Sequence, residues 1–465
     1  MNHAARSLGV AFCLLAAVVF SNPAASIAAV IFVKADASGA NDGSSWADAF
    51  TDLQNGISVA GPGDSVWVAA GTYKPTAGTS RTATFPMRNG VALVGGFAGV
   101  ETSVTERVMR FHRAILSGEI GLLGKDDNSY HVLSAQNVDS TAVVDGFVVT
   151  GGYASGAAPH DVGGGLIVIG GNPAVRNMWF DDNAATRGGG ASFSASRATV
   201  VNVAFTRNFA AYGGAICTYS ETPNVGREVI VNTSIAGNTA NTLGAAIYNV
   251  RSLPLVINSI VWGNIGINQV VSLGGAVTFC YSDVQGSGGS EDWDLIYGID
   301  CGHNLDIDPL LLSVRNGDVH LKPGSPVINM GDNAAPGLPP TDFDGDPRIA
   351  DGVIDIGADE YSDPTGIGDR SEVPRSRIRS VYPNPFNPTV TISFDLDARE
   401  MVRVVVYDVE GRMVRALHEG VKNPGLHRIS WDAVDEAGRR VASGVYFIEV
   451  RSDAWRDHRK VILVK

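Results

Sequence analysis

A nine-residue pattern recurs four times without gaps, at 175–183, 200–208, 230–238 and 256–264. Each copy starts with a branched aliphatic residue, has asparagine third and ninth, and has a bulky apolar residue sixth. The third-position residues Asn177, Asn202, Asn232 and Asn258 are 25, 30 and 26 residues apart. A weaker copy precedes them at 143–151. Another follows at 278–283, where Asp283 replaces the bulky apolar residue. After each ninth-position asparagine a small-residue corner (Gly188, Gly213, Gly244) opens a further strand-like piece. Self-similarity at this period marks a repeat architecture.

Each unit reads as two or three strands of four to six residues between Gly and Asn turns. Strands this short have too little surface to form a sandwich alone. Stacked as coils about 4.8 Å apart, they align valine on valine and phenylalanine on phenylalanine along one core. Asparagine suits the corners because it tolerates left-handed backbone. Its amides can also bond from coil to coil, so the third-position column is expected to be structural. Glycine at 55 positions and proline at 21 supply the many corners such a fold needs.

Phe-x-x-Asn followed by Gly-Gly-Ala-Ile resembles the repeats of polymorphic outer-membrane proteins. More broadly it resembles the right-handed parallel β-helix of the pectate-lyase-like superfamily. That resemblance implies the fold, not an activity, because lyases, hydrolases and adhesins share it.

The solenoid needs covered ends. Residues 46–57 have apolar residues at helical spacing after Ser44-Ser45, predicting an N-capped helix over the first end. Residues 64–73 read as the first full strand and corner, with early coils at 91–97 and 113–118. At the other end, 306–310, 321–328, 342–348 and 355–361 form a motif set. It resembles the closing segment of bacterial surface β-helix proteins with choice-of-anchor domains, so the body spans 30–361. Asp342, Asp344 and Asp346 alternate as calcium ligands can. An EF-hand loop, however, requires Gly and Glu where Pro347 and Val353 stand. Solvated turns partnered by Arg348 are the other reading.

A polar linker at 362–379 leads to Tyr382-Pro-Asn-Pro385 and to alternating runs at 389–394, 402–407, 427–431, 444–450 and 460–465. Their spacing predicts a small β-sandwich. With Ser443-Gly-Val-Tyr446 and the Lys-rich last strand, 380–465 resembles the C-terminal sorting domain of the type IX secretion system. It equally resembles the immunoglobulin-like domain of flagellar hook-capping proteins. The first resemblance implies that outer-membrane secretion machinery reads residues 380–465.

At the other terminus, Arg6, an apolar run over 8–20 and small residues up to Ala28 have the layout of a signal peptide, 1–28. The run is too short to span a bilayer, and no later segment is long and apolar enough to do so. The expected location is extracellular or on the outer cell surface, with the periplasm as alternative. Residues 30–366 hold 17 Lys/Arg against 34 Asp/Glu, and 367–465 hold 17 against 14. So acidic a body argues against nucleic acid as a partner. Of the cysteines beyond the leader, Cys280 and Cys301 bracket a polar loop and are candidates for a disulfide. Cys217 reads as a buried apolar residue.

Catalysis on this fold needs converging acids, and the candidates are Asp181 with Asp182 and Asp126 with Asp127. Neighbouring strand residues face opposite ways, so neither pair alone places two carboxylates on one substrate. His131, His160 and His303 read as isolated. The sequence therefore favours an exported, non-catalytic adhesion or display protein, with carbohydrate or a cell-surface molecule as ligand. A polysaccharide lyase or glycoside hydrolase is the alternative, and calcium is the one cofactor suggested.

Overall fold

The computed structural model describes residues 28–122, 124–222, 226–362, 378–396, 400–409, 411–423, 425–452 and 456–464. The predicted leader, apart from Ala28, and most of the linker lie outside these residues. The chain divides into two compact units, Met1–Thr365 and Gly366–Lys465.

In the first unit the repeats are coils of a parallel β-helix with sheets of fifteen, seven and four strands. Val175, Val200, Ile230, Val256 and Phe279 stand in register from coil to coil. So do Phe180, Phe205, Ile235, Val261 and Val284. The Phe180 and Phe205 rings stack at 4.9 Å, 9° from parallel, inside one core. Gly188, Gly213 and Gly244 hold φ of +64°, +64° and +67° at equivalent corners. A Cβ there would lie 2.3–2.4 Å from the carbonyl oxygens of Ala191, Ile216 and Ile247, so only glycine fits.

The third-position asparagines adopt the expected left-handed backbone, with φ between +47° and +54°. The continuous ladder, however, runs through the ninth-position column. Nδ2 of Asn183, Asn208 and Asn238 donates to Oδ1 of the next asparagine at 3.1, 2.9 and 2.9 Å, ending on Asn264. The same oxygens accept the backbone N–H of Asn183, Asn208 and Asn238 at 3.1, 3.0 and 2.9 Å. Each Nδ2 also donates to a carbonyl, of Val149, Phe180 and Phe205 respectively. Buried amides are thereby paired inside an otherwise apolar core.

Both ends differ from expectation. The first strand is Val30–Val33, which pairs with Ser65–Ala69 ahead of the strand read as first. The helix is shorter, Leu53–Val59, and its N-cap is Asp52, whose side chain accepts Gln54 N–H. Residues 46–50 are not helical, because Asp48 closes a turn by accepting Ser45 Oγ–H and Ala40 N–H. Trp46 instead packs with Phe32, Trp67 and Phe97. In the last coil the alignment slips by one residue. Tyr281 takes the asparagine corner at φ +47°, and Val284, not Asp283, fills the core column. A slip of one reverses the facing of every side chain in a strand, which puts Asp283 in register with outward Ile260. Cys280 and Cys301 form a disulfide across this coil, and Trp293 packs on Phe279. Cys217 is buried and free.

Of residues 305–361 only the first few stay at the end, where Leu305 bridges to Asp283, and Asp306 accepts Gly286 and Gly288 N–H. The rest run as a strap along the outer face of the long sheet, which is also apolar. Ala204, Ala236 and Ile260 pack under Leu311, Val319, Val327 and Phe343. Val201, Val231 and Ile257 pack under Ala335. Three of the four third-position asparagines anchor the strap, while Asn177 bonds to Asp145 and Asn202. Asn202 Nδ2 donates to Thr341 O (2.7 Å), Asn232 Nδ2 to Gly357 O (3.1 Å), and Asn258 Oδ1 accepts Asp332 N–H (2.7 Å).

The second unit is an antiparallel β-sandwich. One sheet holds Ile378–Tyr382, Val390–Leu396 and Gly425–Trp431. The other holds Met413–Lys422, Glu400–Tyr407, Gly444–Ser452 and Arg456–Leu463. Phe386, Phe394, Trp431 and Ile448 lie in its own core. The opening motif is tied to the closing strand. Asn384 Nδ2 donates to Lys460 O and its Oδ1 accepts Ile462 N–H, both at 2.9 Å, and Phe386 N–H donates to Ile462 O.

Two expectations follow. Asn238→Ala strands the amide of Asn208 and the carbonyl of Phe205, so denaturant unfolding should show a loss of about 3 kcal/mol or more. Glu228 is fully buried, both its carboxylate oxygens lack a partner among the described residues, and burial pushes it up to about 8. The folded state therefore holds that proton more tightly than the unfolded chain. Stability should fall as pH rises from about 4.5 to about 8, and Glu228→Ala should flatten that slope in a pH series of unfolding curves.

Candidate functional site

The sequence-predicted acids sit at separate anchors. Asp181 ends the strand Ala174–Asp181, facing outward, where it accepts from Thr206 Oγ1 (2.8 Å) and from both Nε and Nη2 of Arg207. Asp182 occupies the next corner at φ +55° and pairs with Lys125 at 2.6 Å. That contact brings the loop carrying Asp126 and Asp127 against the coil. Asp127 itself accepts Leu122 N–H at 2.6 Å, and Asp126 is exposed. Each of Asp181, Asp182 and Asp127 is thus engaged with its own donor.

The histidines are not all isolated. His131 Nε2 lies 3.0 Å from His160 Nδ1, and His131 Nδ1 lies 2.9 Å from Gly163 O. Burial pushes His131 down to about 4, so it is neutral. The ring of Tyr130 stacks on His160, and the guanidinium of Arg81 lies 4.1 Å from the Tyr130 centroid. His303 stacks on Tyr281 at 4.4 Å.

The densest group of charges is in the strap. Asp342 is fully buried, not a solvated turn. Its Oδ1 accepts the N–H groups of Asp344, Gly345 and Asp346, and its Oδ2 accepts that of Glu360. Asp344 faces His320 Nε2 at 2.7 Å, and Asp346 faces Arg110 at 2.9 Å. The three carboxylates suggested for calcium therefore point at three different partners.

Arg348 is 1% exposed. It donates to Ala358 O (2.8 Å), Gly357 O (3.0 Å) and Asp359 O (3.2 Å), and lies 3.5 Å from Glu360. Asp355 accepts Asn329 and Tyr361 N–H, and Glu360 accepts Asp355 and Ala350 N–H. Burial pushes Asp342 and Glu360 up to about 7 and Asp359 up to about 6. Around His320 the balance is opposite. Burial works against the imidazolium, but hydrogen bonds to Asp318 and Asp344 outweigh it and lift the ring to about 11. From the sequence, Asp342, Asp344 and Asp346 read as calcium ligands or as solvated turns partnered by Arg348, whereas Asp355, Asp359 and Glu360 are motif members without a role and His320 is not singled out. The signal available was apolar residues on both faces of the repeat strands, such as Val201 with Val200, which calls for a second covering layer.

Beside the strap lies an open groove of about 710 Å³. It is lined by Trp262, Asp308, Leu310, Val314, Arg315 and Lys322. Gly237 and Gly263 form its floor, where preceding coils carry Arg207 and Asp182.

Comparison with known proteins gives a family for one part of the chain. Residues 384–454 match the FlgD Ig-like domain. No curated protein matches the chain. Among solved structures, one similar chain is PorZ, a bacterial surface component of the type-IX secretion system of Porphyromonas gingivalis. It is 30% identical over 18% of this chain and 11% of that one, with a TM-score of 0.15. Dimeric latent PorU of the same organism is 24% identical over 18% of this chain and 9% of its own, with a TM-score of 0.16. The chain thus spans about a tenth of the length of these two. Pectate lyase Pel9A is 15% identical over 72% of this chain and 97% of its own, with a TM-score of 0.39.

Arg348→Met should free the strap while leaving the coils folded. Removing its buried guanidinium strands the carboxylate neighbours at a cost of about 3–5 kcal/mol. Limited proteolysis should then cut within 305–361 first, and cleavage no faster than in the unaltered protein would contradict this role.

Proposed function

We propose that this chain is an exported surface protein. In this reading the β-helix is a stiff display body, and the C-terminal sandwich is the module by which outer-membrane machinery sorts or anchors it. The observation that carries the reading is the tie between Asn384 of Tyr-Pro-Asn-Pro and the final strand, inside a domain that matches an immunoglobulin-like family. A module read by other machinery has to keep its own shape, and this tie, with the separate core around Trp431, provides for that.

A non-catalytic role for the body is supported by the engagement of Asp181, Asp182 and Asp127 with Arg207, Lys125 and a backbone N–H. A ligand-facing surface is supported by the groove, where an indole stands beside two cations and a carboxylate. Among the described residues no helix is long and apolar enough to cross a membrane.

Deletion of 378–465 should leave the folded β-helix in the periplasm. Surface labelling and fractionation of the producing cells read the outcome. Undiminished surface display of the truncated chain would overturn the sorting role.

A further inference from the structure

Three separate pieces of the strap bring metal-ligating atoms together. His320 lies in the strand Asp318–Leu321, Asp344 in the turn that Asp342 caps, and Asp359 in the segment that Arg348 holds. One ligand atom from each lies within 4.8 Å of the others. A single cation at ordinary ligand distances of roughly 2.0–2.4 Å reaches all three with little movement.

Two further observations point to a cation. First, Asp359 is 7% exposed and its Oδ2 accepts Leu321 N–H at 2.9 Å, but no described residue donates to its other oxygen. Second, carboxylates outnumber cations in this part of the structure: Asp318, Asp342, Asp344, Asp346, Asp355, Asp359 and Glu360 meet His320, Arg348, Arg110 and, near Asp318, Arg113. A buried anion without a counter-charge is costly, and the usual remedies are a paired cation or a metal. The outer contact is also of the right kind. Asp318 Oδ1 lies 2.5 Å from His320 Nδ1, which holds the ring so that Nε2 faces the two carboxylates.

We propose that His320 Nε2, Asp344 and Asp359 bind one divalent transition-metal cation, zinc above all, with Asp318 as the positioning residue for the imidazole. An imidazole beside carboxylates suits zinc, whereas calcium takes six to eight oxygens. Binding exchanges one ion for another. The proton on the line between Nε2 and Asp344 leaves to solvent, and the metal takes the Nε2 lone pair. The site uses one of the three alternating aspartates, together with a histidine and an acid from outside that run. Its effect on the fold is to staple the antiparallel strand to the turn and the returning segment of the strap.

The test is calorimetric titration of zinc chloride into the full, chelator-treated chain. The expected result is one zinc per chain. Asp318→Asn should weaken binding about 10–100-fold, and Asp359→Asn and His320→Gln should abolish it. Asp346→Asn, which touches Arg110 and not this group, should leave it intact. Cobalt substitution of the unaltered chain gives a readout that needs no variant, since its absorption and paramagnetic shifts report an imidazole ligand. No zinc bound at micromolar concentration, binding that survives both Asp359→Asn and His320→Gln, or a cobalt spectrum without a nitrogen ligand would each overturn the site.

Discussion

Coil-to-coil register is the constraint on which everything else in the first unit rests. The buried asparagines 183, 208, 238 and 264 set it, because the Oδ1 of Asn208, Asn238 and Asn264 each accepts both an amide and a backbone N–H from the preceding coil, and that of Asn183 accepts Gly152 N–H. Apolar stacking alone tolerates sliding, since one valine serves a neighbour as well as another. The amide ladder does not, because a displaced rung leaves buried donors and acceptors unpaired. With register fixed, Phe180 meets Phe205, and Val175 to Phe279 form one column.

The same register creates the need for the strap. Repeated rungs present Val201, Val231 and Ile257 on the outer face, Ala204 and Ile260 one column over, and Ala236 in the column beyond. A sheet apolar on both faces requires two covers, and the interior of the helix is only one. The strap supplies the other. Because its chain is irregular, its backbone groups must find partners among side chains. The third-position asparagines meet part of that need, and the Asp342, Asp355, Glu360 and Arg348 group meets much of the rest. A fixed arrangement of charges at the edge of the solenoid, with His320 held between carboxylates, follows from covering that apolar face.

The repeating part was legible because its evidence is local. Phe180, Phe205 and their asparagines recur at short spacing, and the corner glycines follow at nearly constant offsets. Legibility failed where the pattern lost its markers or where contacts became remote. In the last coil Tyr281 replaces the corner asparagine, so nothing in the sequence separated Asp283 from Val284 as the core residue. At the start, apolar spacing over 46–57 resembled a helix, although Trp46 belongs to an aromatic group with Phe97. Asn202 touches Thr341, and Ser234 touches Ala358, at separations of 139 and 124 residues. No periodicity reports such pairs. The acids singled out from the sequence were adjacent pairs, whereas the charges that the fold gathers come from segments such as 318–320, 342–348 and 355–360. The meeting of His131 with His160 was hidden for the same reason.

Native-state hydrogen exchange on the backbone amides of Asn183, Asn208 and Asn238 tests the ladder most directly, because each of these N–H groups donates to the asparagine of the next coil. The account predicts that all three exchange only through global unfolding of the first unit, with one common free energy that follows denaturant in parallel. Exchange of these amides through independent local openings, coil by coil and at lower free energy, would contradict it.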